Sequence, residues 1–203
     1  MRFGILGGTF DPIHLGHLLM GEAARQKLEL QRVLFVPVGD PPHKRSEAAT
    51  SARHRRMMVE LAIAGNPNFE LCPVDLERAG PHYSIDTVRL IRAWYELAAD
   101  DCFFILGGDS LQDLPTWHRP EEFIRLCRLA VIQRPGFRPD MAALTGQLPG
   151  INERLEWVDM PLIGISASDI RARLRVGQSI RYQVPESVWK YICEHQLYHQ
   201  PGM

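Results

Sequence analysis

The chain has 203 residues, of which 45% are hydrophobic, and a formal net charge of −1 at pH 7. This length and apolar content suit one globular domain with a sizeable core and leave little room for a second full domain. The near-neutral balance excludes a global basic field that would recruit nucleic acid or an anionic membrane, so we expect neither as a partner. Any binding of phosphates must come from local groups.

Cysteine usage and hydropathy indicate the compartment. The four cysteines lie far apart and form no C-x-x-C pair, which argues against a zinc site or a dithiol redox centre. The apolar stretch at the start is only a few residues long, and no later run approaches ~18 apolar residues. We therefore expect a cytoplasmic protein without a signal peptide or a membrane span. The composition leaves a homo-oligomer open.

Strand and helix patterns alternate along the chain. Short apolar runs rich in branched and aromatic residues predict buried strands. Helical patterns separate them, and the third places Ile85, Val88, Ile91 and Tyr95 on one face. The fold class is therefore α/β, with a doubly wound, mostly parallel sheet. The predicted strands cover 2–6, 32–38, 69–74, 101–107, 128–133 and 155–160, and the helices cover 15–28, 51–64 and 84–97.

The end of the chain reads as two short helices after the last strand. We expect residues 164–203 to form a small C-terminal helical subdomain of a single domain that spans 1–203. Proline, glycine and charged residues concentrate in loops, most of which adjoin a predicted strand. Ligands of open α/β sheets bind outside the carboxyl ends of strands, so we expect the site there. The loops are 37–50, 78–83, 115–120 and 134–140.

The stretch "GGTFDPIHLGH" (7–17) directly follows the first predicted strand. Gly7 and Gly8 would let the backbone turn sharply and approach a ligand, and Thr9 would add a hydroxyl. The helix that follows would point its positive N-terminal end at the same place, with His14 and His17 on one face. This pattern favours an anion site. Metal binding by H-x-x-H lacks a third local ligand, while a packed structural role for one histidine stays open.

The stretch "GISASDIR" (164–171) has the pattern of a second helix start. Ser166 is a plausible N-cap with Asp169 as its reciprocal partner, and Arg171 lies one turn further in. Exposed N–H donors and an arginine would suit a phosphate. A simple helix start explains the capping pattern equally well.

Two cations and one tryptophan are further candidates. Lys44 lies in a proline-stiffened loop, where its charge could meet a phosphate or simply be solvated. Arg134 leaves a strand end and could act in the same way. Trp117, in "GGDSLQDLPTWH", could offer a flat face to an aromatic ring, a contact typically worth ~1–3 kcal/mol. A core tryptophan is the alternative.

Taken together, these segments resemble a known family. "GGTFDPIHLGH" is similar to the H-x-G-H signature of the nucleotidyltransferases, and "GISASDIR" to their C-terminal I-S-S-T-x-I-R signature. Between them, "PPHK", "YSIDTV", "GGDSLQDLPTWHRP" and "RPG" resemble segments of the bacterial nicotinate-nucleotide adenylyltransferases. The resemblance covers essentially the whole chain and implies a Rossmann-like nucleotidyltransferase fold.

The resemblance implies transfer of the adenylyl group of ATP to nicotinate mononucleotide. We expect Mg²⁺ to be held mainly by ATP oxygens, as is common for this ion, and we name no protein ligand for it. The resemblance also implies that backbone N–H groups near Ser84 and His118 hold the nicotinate carboxylate. Ala167 departs from the family pattern because it lacks the usual hydroxyl, so any phosphate contact there must come from the backbone. The implied catalytic residues are His14, His17, Lys44 and Arg171; the ATP-binding residues are Gly7, Gly8, Thr9, Phe10, Gly107, Asp109, Ile165, Ser166 and Ser168; the nicotinate nucleotide-binding residues are Tyr83, Ser84, Thr87, Asp109, Trp117, His118 and Arg134.

Other functions fit the sequence less well. "GDSL" (108–111) is the motif of a hydrolase family whose nucleophile would be Ser110, but the required D-x-x-H occurs only before the serine, from Asp11 and from Asp40. A nucleotide sensor without catalysis would lack the two histidines. Phosphopantetheine adenylyltransferases and cytidylyltransferases are shorter and should lack the "PTWH" segment.

Overall fold

Six parallel strands form one sheet in the order β3-β2-β1-β4-β5-β6. The computed structural model describes residues 1–39, 50–133 and 139–198. The order is that of a doubly wound Rossmann-like sheet, which confirms the predicted fold class. The strands are β1 (Phe3–Gly8), β2 (Arg32–Pro37), β3 (Phe69–Leu71), β4 (Cys102–Gly107), β5 (Arg128–Gln133) and β6 (Leu155–Asp159).

Strand β3 is shorter than the pattern predicts. The apolar run continues to residue 74, and the N–H of Cys72 still donates to the carbonyl of Phe35 at 2.9 Å. Pro73 then follows, and it has no N–H to extend the ladder. Its carbonyl instead accepts from Leu76, which turns the chain away from the sheet.

The helices flank the sheet on both faces. The helices predicted between the first strands are confirmed within a few residues, as are the two at the C-terminal end. Helices α4 to α6 were not predicted because five to seven residues are too few for a clear 3.6-residue period. The helices are α1 (Leu15–Lys27), α2 (Ala52–Ile63), α3 (Ser84–Trp94), α4 (Gly108–Gln112), α5 (Pro120–Leu126), α6 (Met141–Gln147), α7 (Ala167–Arg175) and α8 (Glu186–Glu194).

Each face of the sheet has its own core. Alternate residues of β2 point to opposite faces, so Leu34 and Val36 join one hydrophobic cluster while Val33 and Phe35 join the other. The buried apolar residues of α3 belong to the first cluster, and those of α7 and α8 belong to the second. The assignment of 164–203 as a subdomain stays a prediction. No helix among the described residues is long and apolar enough to cross a membrane.

The order of the strands reverses between β1 and β4. Connections run from β1 towards one edge of the sheet and from β4 towards the other, so a crevice opens where these neighbours end. The carboxyl ends at this point are Gly8 and Gly107. Glycines therefore terminate both strands that border the crevice.

Candidate active site

Two cavities open at the carboxyl edge of the sheet and meet at three residues. The smaller, of about 290 Å³, lies between α1 and the segment that leads into α7. The larger, of about 790 Å³, lies over β1, β4 and the start of α3. His17, Met20 and Gly107 line both. Two ligands could therefore lie side by side and touch at this junction, which we call the cavity junction.

His14 and His17 form a stacked pair at the start of α1. His14 is the extended N-cap residue, and its backbone N–H donates to Nδ1 of His17 at 3.2 Å. The two ring centroids are 3.7 Å apart, with planes inclined by 28°. Both side chains line the smaller cavity. The predicted arrangement of two imidazoles beside a helix N-terminus is thus present.

The surroundings of His17 favour its neutral form. Burial lowers the pKa of its imidazole well below the ordinary 6.5, and the neighbouring His14 lowers this pKa further. Because Nδ1 accepts the N–H of His14, the ring proton of the neutral form lies on Nε2. His17 can therefore offer a phosphate a hydrogen bond from a preorganised donor, rather than a full positive charge.

Gly16 leaves room for the ring of His14. A Cβ at position 16 would lie 3.0 Å from Cε1 and Nδ1 of His14, closer than such contacts normally are. A side chain here would require the His14 ring to move by a few tenths of an ångström, against its stack with His17. This contact gives a physical reason for the glycine between the two histidines.

The first loop turns at Phe10 and not at the two glycines. Gly7 and Gly8 are still paired with β2, opposite Val36 and Pro37, and neither has a positive φ. The left-handed conformation falls on Phe10, with φ of 49°. The expectation that the glycines make the sharp turn is therefore wrong. Their missing side chains matter for space, because a Cβ on Gly8 would lie 3.1 Å from the Phe10 ring.

The start of α7 forms the opposite wall of the smaller cavity. Ser166 is the N-cap, as predicted, and its Oγ accepts the N–H of Asp169 at 3.1 Å. The carboxylate of Asp169 bonds Nε of Arg173 at 2.8 Å, one turn along the helix. The Ser166 and Ser168 hydroxyls are 3.1 Å apart. Arg171 lines the same cavity and donates from Nη1 to the carbonyl of Asp11 at 2.7 Å.

Aromatic rings border the larger cavity. Trp117 is half-buried. Its ring centroid lies 5.8 Å from that of Phe104, which it meets edge-on, and 5.4 Å from that of Phe123, to which it is inclined. Tyr83 and His118 stack on each other with centroids 4.1 Å apart and planes inclined by 21°. Trp117 is thus held by core rings while it lines the cavity, and its stacking on a ligand ring stays a prediction.

A buried ionic network supports the wall that carries Tyr83 and Ser84. The Thr87 hydroxyl lies 2.8 Å from Oδ2 of Asp75, a carboxylate that is only 3% exposed. Nε of Arg78 donates to Oδ1 of the same carboxylate at 2.9 Å. Thr87 was expected to contact a nucleotide, but its hydroxyl is committed to Asp75. Sequence reasoning missed both Asp75 and Arg78.

Arg55, which the sequence analysis did not identify, is a large side chain that is only 1% exposed. Its guanidinium donates to the carbonyls of Thr50 (2.9 Å), Thr9 (2.9 Å), Val38 (2.6 Å) and Gly39 (2.8 Å). Burial lowers its pKa, which Asp11 partly offsets. Arg55 thus ties the loop after β1 to the loop after β2. The sequence carried a signal, because Arg55 lies on the same helical face as the buried Met58, Val59 and Ile63.

The structure divides the predicted residues between the cavities. Phe10 is 2% exposed and packs edge-on to His17, so its side chain borders neither cavity. Lys44 and Arg134 lie outside the described residues. The smaller cavity is lined by His14, His17, Gly107, Ile165, Ser166, Ala167, Ser168 and Arg171; the larger is lined by Gly7, Gly8, Thr9, His17, Tyr83, Ser84, Thr87, Gly107, Asp109, Trp117 and His118.

Other chemistries have weaker support. Among the described residues, no group of three or more His, Cys, Asp or Glu side chains could hold a metal ion. Burial raises the pKa of Cys102 to about 12 and also raises that of Cys127, which disfavours the reactive thiolate. Ser110 of "GDSL" lies in α4, after β4, whereas the serine of that hydrolase family follows the first strand.

The family model that matches this chain is cytidylyltransferase-like and covers residues 5–173. A Thermomicrobium roseum protein named probable nicotinate-nucleotide adenylyltransferase is 47% identical over 197 residues, which are 97% of this chain and 91% of the relative. A Dehalococcoides mccartyi protein of the same name is 41% identical over 201 residues, which are 98% of both chains.

A solved structure shows the same fold. Plasmodium falciparum nicotinic acid mononucleotide adenylyltransferase complexed with NaAD matches with a TM-score of 0.77 and 20% identity, over 97% of each chain. The two named relatives match nearly the whole chain at more than 40% identity, which shows membership of a family as well as a shared fold. By these matches the chain belongs to the nicotinate-nucleotide adenylyltransferases, within the cytidylyltransferase-like family.

Proposed function

We propose that this protein transfers the adenylyl group of ATP to nicotinate mononucleotide, giving nicotinate adenine dinucleotide and pyrophosphate in NAD biosynthesis. The observation that carries the proposal is the cavity junction, where two spaces of different chemistry share His17, Met20 and Gly107. One space is bordered by two helix N-termini, and the other by aromatic rings. Membership of the family supports the choice of acceptor.

The reaction is a single displacement. An oxygen of the 5′-phosphate of nicotinate mononucleotide attacks the α-phosphorus of ATP in line. The bond from this phosphorus to the bridging oxygen of the β-phosphate breaks, and pyrophosphate leaves with Mg²⁺. The acceptor phosphate is already ionised at neutral pH, so the protein needs no nucleophile and little general base. Positioning and charge stabilisation supply the catalysis.

The smaller cavity takes ATP. We assign His17 to the α-phosphate, because it is the imidazole at the cavity junction, and His14 to the rest of the triphosphate. The N-terminal N–H groups of α7, with Ser166, Ser168 and Arg171, meet the phosphates from the other side. Backbone N–H serves in place of a hydroxyl at Ala167. Lys44 contributes a further positive charge.

The larger cavity takes the acceptor. Trp117 stacks on the pyridine ring, and backbone N–H groups near Ser84 and His118 hold the carboxylate. Asp109 meets a ribose, and Arg134 a phosphate. Because Thr87 is bonded to Asp75, its contribution is to fix the start of α3 beneath Tyr83 and Ser84.

We further propose that Mg²⁺ arrives on the oxygens of ATP, as is common for this ion. The partners are these small molecules, and neither nucleic acid nor membrane is required. We place the protein in the cytoplasm, in keeping with its four free cysteines.

One assay tests the proposal. ATP and Mg²⁺ are incubated with nicotinate mononucleotide, with its amide, and with phosphopantetheine, and pyrophosphate release is followed. We expect release with nicotinate mononucleotide, and release slowed by about 10²–10³-fold in the His17→Ala variant. Release with phosphopantetheine alone would overturn the acceptor assignment.

A further inference from the structure

The C-terminal segment reaches back to the first loop of the site. After α8, Gln196 and Tyr198 adopt left-handed conformations, with φ of 49° and 68°. The N–H of Leu197 donates to the carbonyl of Ile192 at 3.0 Å, which fixes the turn to the end of the helix. The Tyr198 hydroxyl then lies 2.6 Å from Oδ1 of Asp11, a residue 187 positions earlier.

All three oxygens of Asp11 accept hydrogen bonds. Its carboxylate accepts the Tyr198 hydroxyl at Oδ1 and the N–H of Thr50 at Oδ2, the latter at 3.3 Å. Its carbonyl accepts Nη1 of Arg171 at 2.7 Å. Asp11 is only 6% exposed, so these bonds form where water competes little. One residue therefore joins Tyr198, beyond both cavities, to Arg171, which lines the smaller one.

The Tyr198 hydroxyl stays protonated and so remains a donor. Burial raises the pKa of Tyr198 well above its ordinary value, and the nearby carboxylate of Asp11 raises it further. A hydrogen bond to an ionised carboxylate is among the stronger ones. Without it, one carboxylate oxygen of a buried aspartate would lose its hydroxyl partner, and the loop that anchors Arg171 would lose one of the bonds that fix it.

We propose that Tyr198 is a positioning residue, which acts through Asp11 to hold the Arg171 guanidinium where the phosphates of ATP bind. The inference rests on the proposed function in assigning ATP to the smaller cavity. It makes the C-terminal segment part of the nucleotide site, although Tyr198 lines neither cavity.

The test is a double-mutant cycle on ATP affinity. Calorimetry measures Kd for ATP and Mg²⁺ in the wild-type chain, Tyr198→Phe, Arg171→Ala and the double variant. Phenylalanine keeps the ring and removes only the hydroxyl, so the fold should persist. We expect Tyr198→Phe to raise Kd about tenfold in the wild-type background and less than twofold in the Arg171→Ala background. Tyr182→Phe, at an 80% exposed tyrosine, is the matched control and should leave Kd unchanged.

Each outcome decides one question. An unchanged Kd in Tyr198→Phe, or an equal rise in both backgrounds, overturns the inference, because the hydroxyl then has no effect or acts independently of Arg171. The chain could bind ATP and show the expected Kd values in all four proteins, yet transfer nothing to nicotinate mononucleotide. That result overturns the acceptor assignment and leaves the inference about Tyr198 standing. A wild-type chain that binds no ATP overturns both.

Discussion

The two cavities meet in one place but are built differently. The smaller is bordered by side chains that can bond a phosphate directly, among them His14, His17 and Arg171. The larger is bordered by glycine backbone and rings, and the hydroxyl of one lining residue, Thr87, is bonded to the carboxylate of Asp75. Single side chains should therefore decide chemistry in the smaller cavity, whereas shape decides binding in the larger.

The largest expected effect is on stability, at the arginine beneath the larger cavity. Arg55→Met leaves four buried or part-buried carbonyls without their donor, so the free energy of unfolding should fall by about 3–5 kcal/mol. Denaturant unfolding followed by circular dichroism measures this change. Arg56→Met is the matched control, because Arg56 is an exposed neighbour paired with Glu60 at 2.9 Å. Its change should stay below about 1 kcal/mol. An equal loss of unfolding free energy in both variants would mean that the four hydrogen bonds to carbonyls do not stabilise the fold more than an exposed ion pair does.

The next effect is on catalysis, in the smaller cavity. His17→Ala removes a preorganised donor at the cavity junction, and kcat should fall about 10²–10³-fold, equivalent to roughly 2.7–4 kcal/mol. Stopped assays of pyrophosphate release measure this loss, with unfolding curves to show that the fold persists. His195→Ala, at an exposed histidine after α8, is the control and should retain full activity. Near-normal turnover in folded His17→Ala would remove His17 from the mechanism.

The larger cavity should respond through binding. Thr87→Val keeps the shape and removes the hydroxyl that bonds Asp75, so we expect about 1.5–3 kcal/mol of lost stability. Because the start of α3 then shifts, KM for the acceptor should rise about tenfold, with little change in kcat. Steady-state kinetics with saturating ATP measure both constants. Thr145→Val, whose hydroxyl bonds the Met141 carbonyl on α6 at 2.7 Å, is the control outside both cavities. A loss in kcat at constant KM would contradict the division between the cavities.

The sequence predicted the parts of the site whose residues are close in the chain. The histidine pair, the start of α1 and the N-cap at Ser166 are local patterns, and each appears where it was expected. The turn at Phe10 escaped because a left-handed phenylalanine leaves no mark in composition. The second glycine-ended strand, β4, was found because its apolar run is unambiguous.

The missed residues act through long-range contacts. Tyr198 and Asp11 are 187 positions apart, and no local period links them. Asp75 and Thr87 are 12 positions apart, and no single helix or strand contains both. The sequence shows Arg55 only as a cation on an apolar helix face and does not show which carbonyls it bonds. Patterns report which face of an element is buried, but they do not report which distant carbonyl or carboxylate a buried polar group will meet.

The smallest effect concerns the pH dependence of stability and tests whether His17 is neutral. Its pKa in the folded chain lies well below the 6.5 expected in the unfolded chain. As pH falls below 6.5, the unfolded state takes up a proton first, so the stability that neutral His17 contributes above 6.5 is lost until the folded-state pKa is reached. The free energies of unfolding of the wild type and of His17→Gln are therefore measured from pH 8 to pH 5. As pH falls below about 6.5, we expect the wild type to lose stability relative to His17→Gln, and above 6.5 we expect the difference to stay constant. Groups that do not interact with His17 titrate alike in both proteins and cancel, so the difference reports on His17 and the neighbouring His14. A difference that stays constant across this range would show that His17 titrates normally in the fold, and the neutral donor at the cavity junction would have to be replaced by an ordinary, readily charged imidazole.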